Sequence, residues 1–262
     1  AWGLNTYGQI SVPVDVGEVV EVDASYSGSL ARRSDGSLRF WGLLQIYPPS
    51  PMDESEAVGP FVAVDAGYEH FVALRADGRV VVWTLFGQEL TNAPPDLAAA
   101  VTVAAGWEHN LAVRSDGTVA AWGQNDEGQC TVPPGVTNLV AVAGGRAHSL
   151  GLRADGTVAA WGGNARGQID VASDLADVIA IDAGANYSLA LRADGTVAAW
   201  GEIEPPPAGL DGVVAIAAGA GFGLALRADG AVVQWGAAEP AGVPEGLSDV
   251  TSLSAGWHHA LA

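Results

Sequence analysis

Tryptophan recurs along this 262-residue chain at nearly constant spacing, and glycine follows all but one of the recurring tryptophans. The seven positions are Trp2, Trp41, Trp83, Trp122, Trp161, Trp200 and Trp235, separated by 39, 42, 39, 39, 39 and 35 residues. A period of this length is typical of propellers, solenoids and other repeat arrays. The sequence therefore predicts seven copies of one structural unit.

Each unit contains short apolar segments separated by turn residues. Between Val140 and Gly162 these segments are four to six residues long, which is too short for a helix and fits a β-strand. Asp-Gly pairs predict hairpins with type I′ turns, in which both turn residues have positive φ. The pairs begin at Asp35, Asp77, Asp116, Asp155, Asp194 and Asp229. We expect three strands per unit, with a possible short fourth strand near Val12-Pro13 and Val132-Pro133.

The two ends of the chain carry complementary parts of one unit. Residues 255–262 are a first half without its Asp-Gly hairpin, and residues 1–3 are a second half. Pairing them would close a ring with no free sheet edge, whereas an open solenoid needs polar caps that neither end provides. We predict an all-β fold, a closed seven-bladed β-propeller of ~39-residue repeats, whose N- and C-terminal segments share one blade. Residues 1–262 would form one domain. Because residue 1 falls inside a unit, we also expect preceding sequence or a leader.

The charge balance limits the classes of partner. Thirty Asp and Glu residues face eleven basic residues, all arginine, so the formal net charge is -19 at pH 7. Such a charge repels nucleic acid and anionic lipid, and no apolar run approaches the roughly 20 residues that span a bilayer. We expect neither nucleic acid nor membrane as a partner. The single cysteine, Cys130, excludes an internal disulfide and is interpreted as a small buried side chain.

One repeat position carries large side chains in neighbouring units. Nine residues before the hairpin aspartate, or at the equivalent place, the chain has Tyr26, Tyr68, Trp107, Arg146, Ala185, Ala220 and Trp257. Alternating strand direction puts this position on the rim opposite the hairpins, with the loops that follow Trp-Gly. Those loops add Tyr7, Tyr47, Phe86, Asp126, Glu127 and Arg166. Trp, Tyr and Arg dominate interface hot spots, so the pattern predicts an exposed protein-binding arc; simple turn packing is the alternative.

Charge distinguishes the two rims further. Acidic residues expected near the aromatic arc are Glu69, Glu108, Asp126, Glu127, Glu202, Glu204 and Glu239. A basic or mixed partner surface would be attracted to them and would associate faster at low salt. The hairpin rim instead repeats Arg-x-Asp-Gly with little variation, which is typical of turn chemistry with local ion pairs.

Two other polar positions recur once per unit. The histidines His70, His109, His148 and His259 open a strand where other units have Gly28, Tyr187 and Phe222. Ligands spaced one per blade could meet a metal ion only across a narrow channel, so we predict a structural role for them. Asp23, Asp65 and Asp182 share another position and are interpreted as turn-stabilising. We predict no catalytic residue, no metal site and no cofactor.

The run from Ser149 to Gln168 resembles the repeat of the regulator-of-chromosome-condensation propellers. The short period, the Trp-Gly-x-Asn-x-x-Gly-Gln motif at Trp2, Trp122 and Trp161, and the Val-Pro links are most similar to the β-lactamase inhibitory protein II type. That resemblance implies a secreted bacterial inhibitor that caps the active-site entrance of class A β-lactamases. It would be a monomer without enzymatic turnover, anchored by the aromatic arc, oriented by Arg146 and steered by Asp126 and Glu127.

Two alternatives stay open at this point. One is a scaffold or regulatory propeller with another protein partner, such as a GTPase. The other is a propeller enzyme, for example a lyase, with catalytic groups around the channel mouth.

Overall fold

The computed structural model describes residues 1–42, 60–84, 93–95, 97, 99–236 and 242–262. Within these residues it contains twenty-one β-strands and no helix, arranged as seven antiparallel sheets of three strands. The described part accordingly offers no helix that could span a membrane. The predicted rim residues Tyr47, Phe86 and Glu239 lie outside the described residues.

Each sheet is one blade, and the blades are numbered along the chain. Blade 1 comprises β2 (Val19–Ala24), β3 (Gly28–Arg33) and β4 (Leu38–Gly42), and blade 2 comprises β5 (Phe61–Ala66), β6 (His70–Arg75) and β7 (Val80–Thr84). Blade 3 comprises β8 (Ala100–Ala105), β9 (His109–Arg114) and β10 (Val119–Gly123), and blade 4 comprises β11 (Leu139–Gly144), β12 (His148–Arg153) and β13 (Val158–Gly162). Blade 5 comprises β14 (Val178–Ala183), β15 (Tyr187–Arg192) and β16 (Val197–Gly201), and blade 6 comprises β17 (Val213–Ala218), β18 (Phe222–Arg227) and β19 (Val232–Gly236).

Blade 7 joins the two ends of the chain, as predicted. It comprises β20 (Ser254–Ala255), β21 (His259–Leu261) and β1 (Trp2–Gly3), in the order β1-β21-β20. Trp2 pairs with Ala260 across β1 and β21. The first strand of every blade packs against the first strand of the next, and β20 packs against both β17 and β2. The seven blades therefore form a closed propeller around a central channel.

The repeated tryptophans fill the seams between blades, as expected from their size. Trp83 of blade 2 packs against Leu30, Leu38 and Phe40 of blade 1. Six of the seven are buried, and Trp200 is half-buried. The aromatic bodies thus supply much of the apolar area that holds neighbouring sheets together.

The Asp-Gly hairpins differ from the predicted type I′ turns. Positive φ occurs at Gly36 (80°) but not at Asp35, and the Gly36 N–H donates to the Arg33 carbonyl. The Arg33 N–H donates in turn to the Ser37 carbonyl. This is a three-residue loop in which a type I turn precedes a bulged glycine. Asp35 fits because its carboxylate accepts the Ser37 N–H at 2.8 Å, and this bond favours the right-handed turn conformation.

The hairpin arginines also depart from the predicted local ion pairs. One local pair does occur, because Arg227 Nε lies 4.0 Å from Asp229 Oδ2 in its own hairpin. Arg33, however, donates from Nε to the Val16 carbonyl at 2.7 Å and so fastens the preceding loop. In part, therefore, these arginines hold connecting segments rather than hairpin aspartates.

The predicted fourth strand is absent from the described residues. Both Val12-Pro13 and Val132-Pro133 lie in irregular segments between turns. The Val16 N–H donates to the Pro13 carbonyl, and the Val136 N–H donates to the Pro133 carbonyl, which is turn bonding rather than strand pairing. Proline has no N–H to donate to a neighbouring strand, and the Pro13 and Pro133 carbonyls already accept hydrogen bonds within turns.

Candidate functional site

A ring of turns surrounds one mouth of the central channel. Each turn follows the first strand of its blade, and its tip is the position that carries Tyr26, Tyr68, Trp107, Arg146, Ala185, Ala220 or Trp257. Backbone N–H groups at five tips donate to the turn of the next blade; for example, Tyr26 donates to the Tyr68 carbonyl at 3.3 Å and Tyr68 to the Trp107 carbonyl at 3.2 Å. This ring of bonds holds the tips in fixed order around the mouth.

The large side chains at these tips contact one another in blade order, with the ring planes tilted. The rings of Tyr26 and Tyr68 are 4.5 Å apart, and those of Tyr68 and Trp107 are 4.6 Å apart. The Arg146 guanidinium lies 4.3 Å from the Trp107 ring centre in a cation–π contact. Such contacts favour one arrangement because ring faces are negative and ring edges positive. We name Tyr26, Tyr68, Trp107, Arg146 and Trp257 the mouth cluster.

Trp257 reaches across the mouth to the far side of the ring. Its indole contacts Trp107 edge-on at 4.5 Å, Tyr68 at 5.5 Å and Tyr26 at 5.8 Å. The four rings are consequently half-buried, whereas Arg146 is exposed. The sequence correctly predicts that these residues share one rim, but the predicted exposed arc is wrong in form, because each ring covers its neighbour.

The channel narrows beneath the mouth cluster and then widens. A mouth cavity of about 80 Å³ touches the turns of all seven blades. Below it lies a polar chamber of about 270 Å³ lined by the first strands. The two share a neck made of small residues only: Ala24, Ala66, Ala105, Gly144, Ala183, Ala218 and Ala255. Small side chains here let seven strands converge around the axis.

The loops after Trp-Gly form the outer part of the same rim. The Gln124 N–H donates to the Glu108 carbonyl at 2.7 Å, so this loop lies beside a mouth turn, as predicted. Tyr7, Asp126, Glu127 and Arg166 are all exposed there. Arg166 is paired with Glu202 at 3.4 Å.

The Asn and Gln of the Trp-Gly-x-Asn-x-x-Gly-Gln motif shape these loops rather than bind a partner. In the loop after Trp122, Asn125 Oδ1 accepts the Cys130 N–H at 2.8 Å, and Gln129 Oε1 accepts the Glu127 N–H at 3.0 Å. Cys130 is half-buried rather than fully buried as predicted, and burial raises the pKa of its thiol to about 11. The motif's Asn and Gln therefore fix the loop backbone, and the residues between them differ from one loop to the next.

Acidic residues border the mouth cluster as predicted. Glu69 and Glu108 follow Tyr68 and Trp107 directly and are half-buried. Burial, and secondarily the nearby Glu108 carboxylate, raises the pKa of Glu69. Glu202 and Glu204 are exposed. The described rim is acidic, with Arg146 and Arg166 as its predicted cations.

The repeated histidines are structural, as the sequence indicates. His109 Nε2 lies 3.0 Å from Ser149 Oγ of the next blade, and Ser149 Oγ donates to the Gln129 carbonyl at 2.8 Å. His148 and Ser188 repeat this arrangement. Because the hydroxyl proton is already engaged, the histidine must donate from Nε2. Each imidazole is buried, and burial lowers the pKa of His109 to about 3.

The three repeated aspartates line the chamber and join blades. Asp65 accepts the Ala66 N–H with one oxygen and the Ala105 N–H of blade 3 with the other, at 2.9 and 2.8 Å. Asp182 bridges blades 5 and 6 in the same way, and Asp23 accepts the Ser254 hydroxyl of blade 7 at 2.6 Å. All three lie in the first strand of their blade and bond to strand residues, so they join blades across the seams rather than stabilising turns as predicted. Burial raises the pKa of all three, and that of Asp182 to about 7.

Metal ligation finds no geometric support in the described part of the chain. No group of three or more His, Cys, Asp or Glu side chains there is placed to hold an ion. The histidines sit in separate seams, each engaged with the neighbouring blade.

Sequence reasoning missed a repeated apolar position near the opposite mouth. The first and second strands slip register by one residue in every blade from 1 to 6. The bulged residues, Val20, Val62, Val101, Val140, Ile179 and Val214, are each about half exposed, at 48% to 56%. The repeat of a β-branched residue at one position was the available signal, but a bulge inverts the inward-outward alternation on which a sequence interpretation relies.

Comparison with known proteins agrees with this architecture. Residues 61–83, 100–129, 139–168 and 178–202 match the model of the Regulator of chromosome condensation (RCC1) repeat. The matches fall in blades 2 to 5. A comparison of the sequence with curated proteins finds no match.

Solved structures share the fold at low sequence identity. Prp20p from Saccharomyces cerevisiae has a TM-score of 0.78 at 17% identity, over 99% of this chain and 89% of its own. The ectodomain of the receptor kinase CR4 from Physcomitrella patens has a TM-score of 0.76 at 20% identity, over 91% and 68%. Human WBSCR16 gives 0.75 at 16% identity, over 95% and 87%. The chain shares the propeller fold of these proteins, and four of its seven blades carry a match to the RCC1 repeat.

Proposed function

We propose that this chain is a protein-binding propeller that docks a partner on the rim of the mouth cluster. The observation that carries the proposal is the convergence of Tyr26, Tyr68, Trp107, Trp257 and Arg146 on one channel mouth, through contacts of 4.3 to 5.8 Å. These residue types dominate interface hot spots. Their contacts with one another, and the hydrogen bonds between neighbouring turns beneath them, hold these side chains in place before binding. Docking therefore has to order few side chains.

The negative charge of the rim should also raise the association rate with a basic partner. A molecule of net charge -19 attracts a basic partner surface before contact, and the exposed Asp126 and Glu127 lie beside the mouth. Association with such a partner accelerates at low ionic strength. Dissociation is governed instead by the buried aromatic contacts.

Similar propellers supply a precedent of the regulatory type. Prp20p is described with binding properties to Gsp1p and histones, and yeast RCC1 (Prp20) is described with Kap60 bound to it. Likeness at this identity concerns the fold, so the partner class is our proposal. A regulatory or scaffold propeller with a protein partner is the form that the repeat match favours.

Inhibition of a class A β-lactamase is a narrower form of the same proposal. It depends on the resemblance to the β-lactamase inhibitory protein II type, whose short period and loop motif the chain shares. In this form the protein is exported, and the rim covers the enzyme's substrate entrance. Titration against a panel of purified class A β-lactamases and small GTPases separates this form from a regulatory one.

The decisive experiment compares variants of the two rims. Wild type, Trp107→Ala/Trp257→Ala and the control Val62→Ala/Val140→Ala are used in pull-downs and in calorimetric titrations with the retained protein. The control truncates half-exposed apolar residues away from the mouth cluster. We expect the tryptophan variant alone to lose at least about 2 kcal/mol of binding free energy. Equal affinity of all three proteins, with melting curves showing intact folds, would reject the mouth cluster as the docking surface.

A further inference from the structure

Arg146 is the last large side chain before the two alanines in the order of tips around the channel mouth. Its guanidinium carbon lies over the Trp107 ring, 4.3 Å from the ring centre. The group is exposed and forms no hydrogen bond or ion pair with any described residue. Arg166, the other predicted cation of this rim, is by contrast paired with Glu202 at 3.4 Å. Arg146 thus presents a fork of N–H donors that stacking holds in position.

The two turns after Arg146 also differ from the others. Arg146 donates its own backbone N–H to the Ala185 carbonyl at 3.2 Å, which places these turns side by side. The N–H groups of Ala185 and Ala220, however, form no hydrogen bond with any described residue, so the ring of turn-to-turn bonds is interrupted there. Both alanines have small side chains and are half-buried. Arg146, Ala185 and Ala220 all line the same cavity of about 80 Å³.

We propose that Arg146, with the backbone N–H groups of Ala185 and Ala220, binds a carboxylate of the partner. A planar guanidinium matches a carboxylate through two parallel hydrogen bonds, and turn N–H groups add donors for the same anion. The proposal rests on the proposed function in so far as the ligand is carried by a docked protein.

Charge complementarity makes the site selective for position. Glu69, Glu108, Asp126 and Glu127 repel an incoming carboxylate elsewhere on the described rim. Arg146 and the Ala185 and Ala220 N–H groups, which bond to no described residue, attract it on one side of the mouth. A partner with a generally basic surface and one carboxylate at the correct point is therefore fixed in register, because any other placement brings like charges together.

The cavity size fits the insertion of one side chain. A cavity needs roughly 10–15 Å³ to hold one water molecule, so the mouth cavity of about 80 Å³ holds several. A carboxylate entering over Ala185 and Ala220 would displace such waters and replace their hydrogen bonds with charge-assisted ones.

The test uses nitrogen-15 NMR of the whole chain with sodium acetate as the probe and sodium chloride at equal ionic strength as the reference. We expect saturable shifts of the Ala185 and Ala220 amides and of the Trp107 indole N–H with acetate. Arg146→Gln should weaken acetate binding at least about tenfold. The matched control Arg166→Gln removes an equal charge from the same rim and should leave acetate binding unchanged.

Two peptides distinguish the source of the carboxylate. One is a capped peptide with a single internal glutamate, and the other is an acetylated triglycine with a free C-terminus. Binding of either supports the site and names its ligand. Shifts that chloride reproduces, shifts that do not saturate, or equal weakening by Arg166→Gln would overturn the proposal. Because acetate needs no partner, these results are independent of the pull-down, and either proposal can fail alone.

Discussion

His109 of blade 3 donates from Nε2 to the Ser149 hydroxyl of blade 4, across 3.0 Å of a seam that is fully buried. The Ser149 hydroxyl donates its own hydrogen bond to the Gln129 carbonyl at 2.8 Å. The histidine, the serine and the loop carbonyl thereby tie two blades and a rim loop together.

Ser149→Ala should destabilise the fold by about 1–3 kcal/mol. The change leaves the His109 N–H and one acceptor site on the Gln129 carbonyl without this partner in a buried seam, and unsatisfied buried polar groups carry a cost of this size. Denaturant unfolding measures it. Ser115→Ala, at an exposed hairpin position, is the control and should change stability by less than about 0.5 kcal/mol. Equal effects of the two changes would contradict a structural role for the seam.

Gly106→Ala should destabilise the protein by at least about 1–3 kcal/mol. A Cβ atom there would lie 2.1 Å from His109 Cε1 and 2.7 Å from the Gly145 carbonyl oxygen, so imidazole and backbone must both move. Gly242→Ala is the control, because a Cβ there meets no atom of a described residue within 4 Å. Thermal unfolding of the two variants should separate them by several degrees. Coincident melting curves would show that the turn can open without cost.

His109→Gln should flatten the loss of stability on acidification. Burial, with smaller effects of His70 and His148, lowers the pKa of His109 from 6.5 to about 3. The folded pKa is below the unfolded one, so the neutral histidine's contribution is complete above pH 6.5 and is lost progressively as pH falls towards 3. Removing one such group should reduce the slope of unfolding free energy against pH, between pH 4.5 and 5.5, by about 1.4 kcal/mol per unit. An unchanged slope would mean that the imidazole is already accessible to protons in the fold.

Asp182→Asn should act in the opposite direction. Burial raises the pKa of Asp182 from 3.8 to about 7, against the hydrogen bonds from Ala183 and Ala218 that lower it. The folded carboxyl keeps a proton that the unfolded chain releases, so its contribution is lost as pH rises from 3.8 to 7. The amide cannot titrate, and the variant's stability relative to wild type should therefore increase across this range. Exposed Asp174→Asn serves as the control. Parallel curves for wild type and Asp182→Asn would show that the Asp182 carboxyl is not protonated in the fold across this range.

Val140→Thr should be nearly neutral, whereas Val142→Thr should cost about 1–3 kcal/mol. Val140 is the bulged residue of blade 4 and is 52% exposed, and Val142, two positions later, is 8% exposed. A hydroxyl placed in the buried position lacks a partner, while the exposed one meets water. Thr251 already occupies the corresponding position of blade 7. Equal losses in denaturant titrations would indicate that the bulge is covered in solution.

The repeat predicted most of the architecture because every unit carries the same local signals. Seven tryptophans, six Asp-Gly pairs and the split unit at the chain ends led to the correct blade number and ring closure. The turn type was wrong because Asp-Gly serves both two-residue and three-residue hairpins. Whether Asp35 takes positive φ depends on the residue before it and on the side-chain bond to Ser37, not on the pair itself.

The shared rim of the mouth cluster was predicted, but the packing of its side chains was not. Equivalent positions in a closed ring must lie on one rim, so Tyr26, Trp107 and Trp257 could be grouped from their numbering. Their mutual burial depends on how closely the blades approach the axis, where only small residues line the neck of the channel. No local pattern encodes that distance.

The sequence alone determined the repeat, the strand pattern and the choice of rim, since each follows from short-range periodicity and from strand alternation. Only the tertiary structure decided that Trp257 contacts Trp107 across the mouth, that Asp182 accepts the Ala218 N–H, and that the Ala185 and Ala220 N–H groups bond to no described residue. These relationships join residues from different blades. They depend on how closely seven sheets converge on one axis. That distance is set by side-chain packing throughout the ring and not by any one segment.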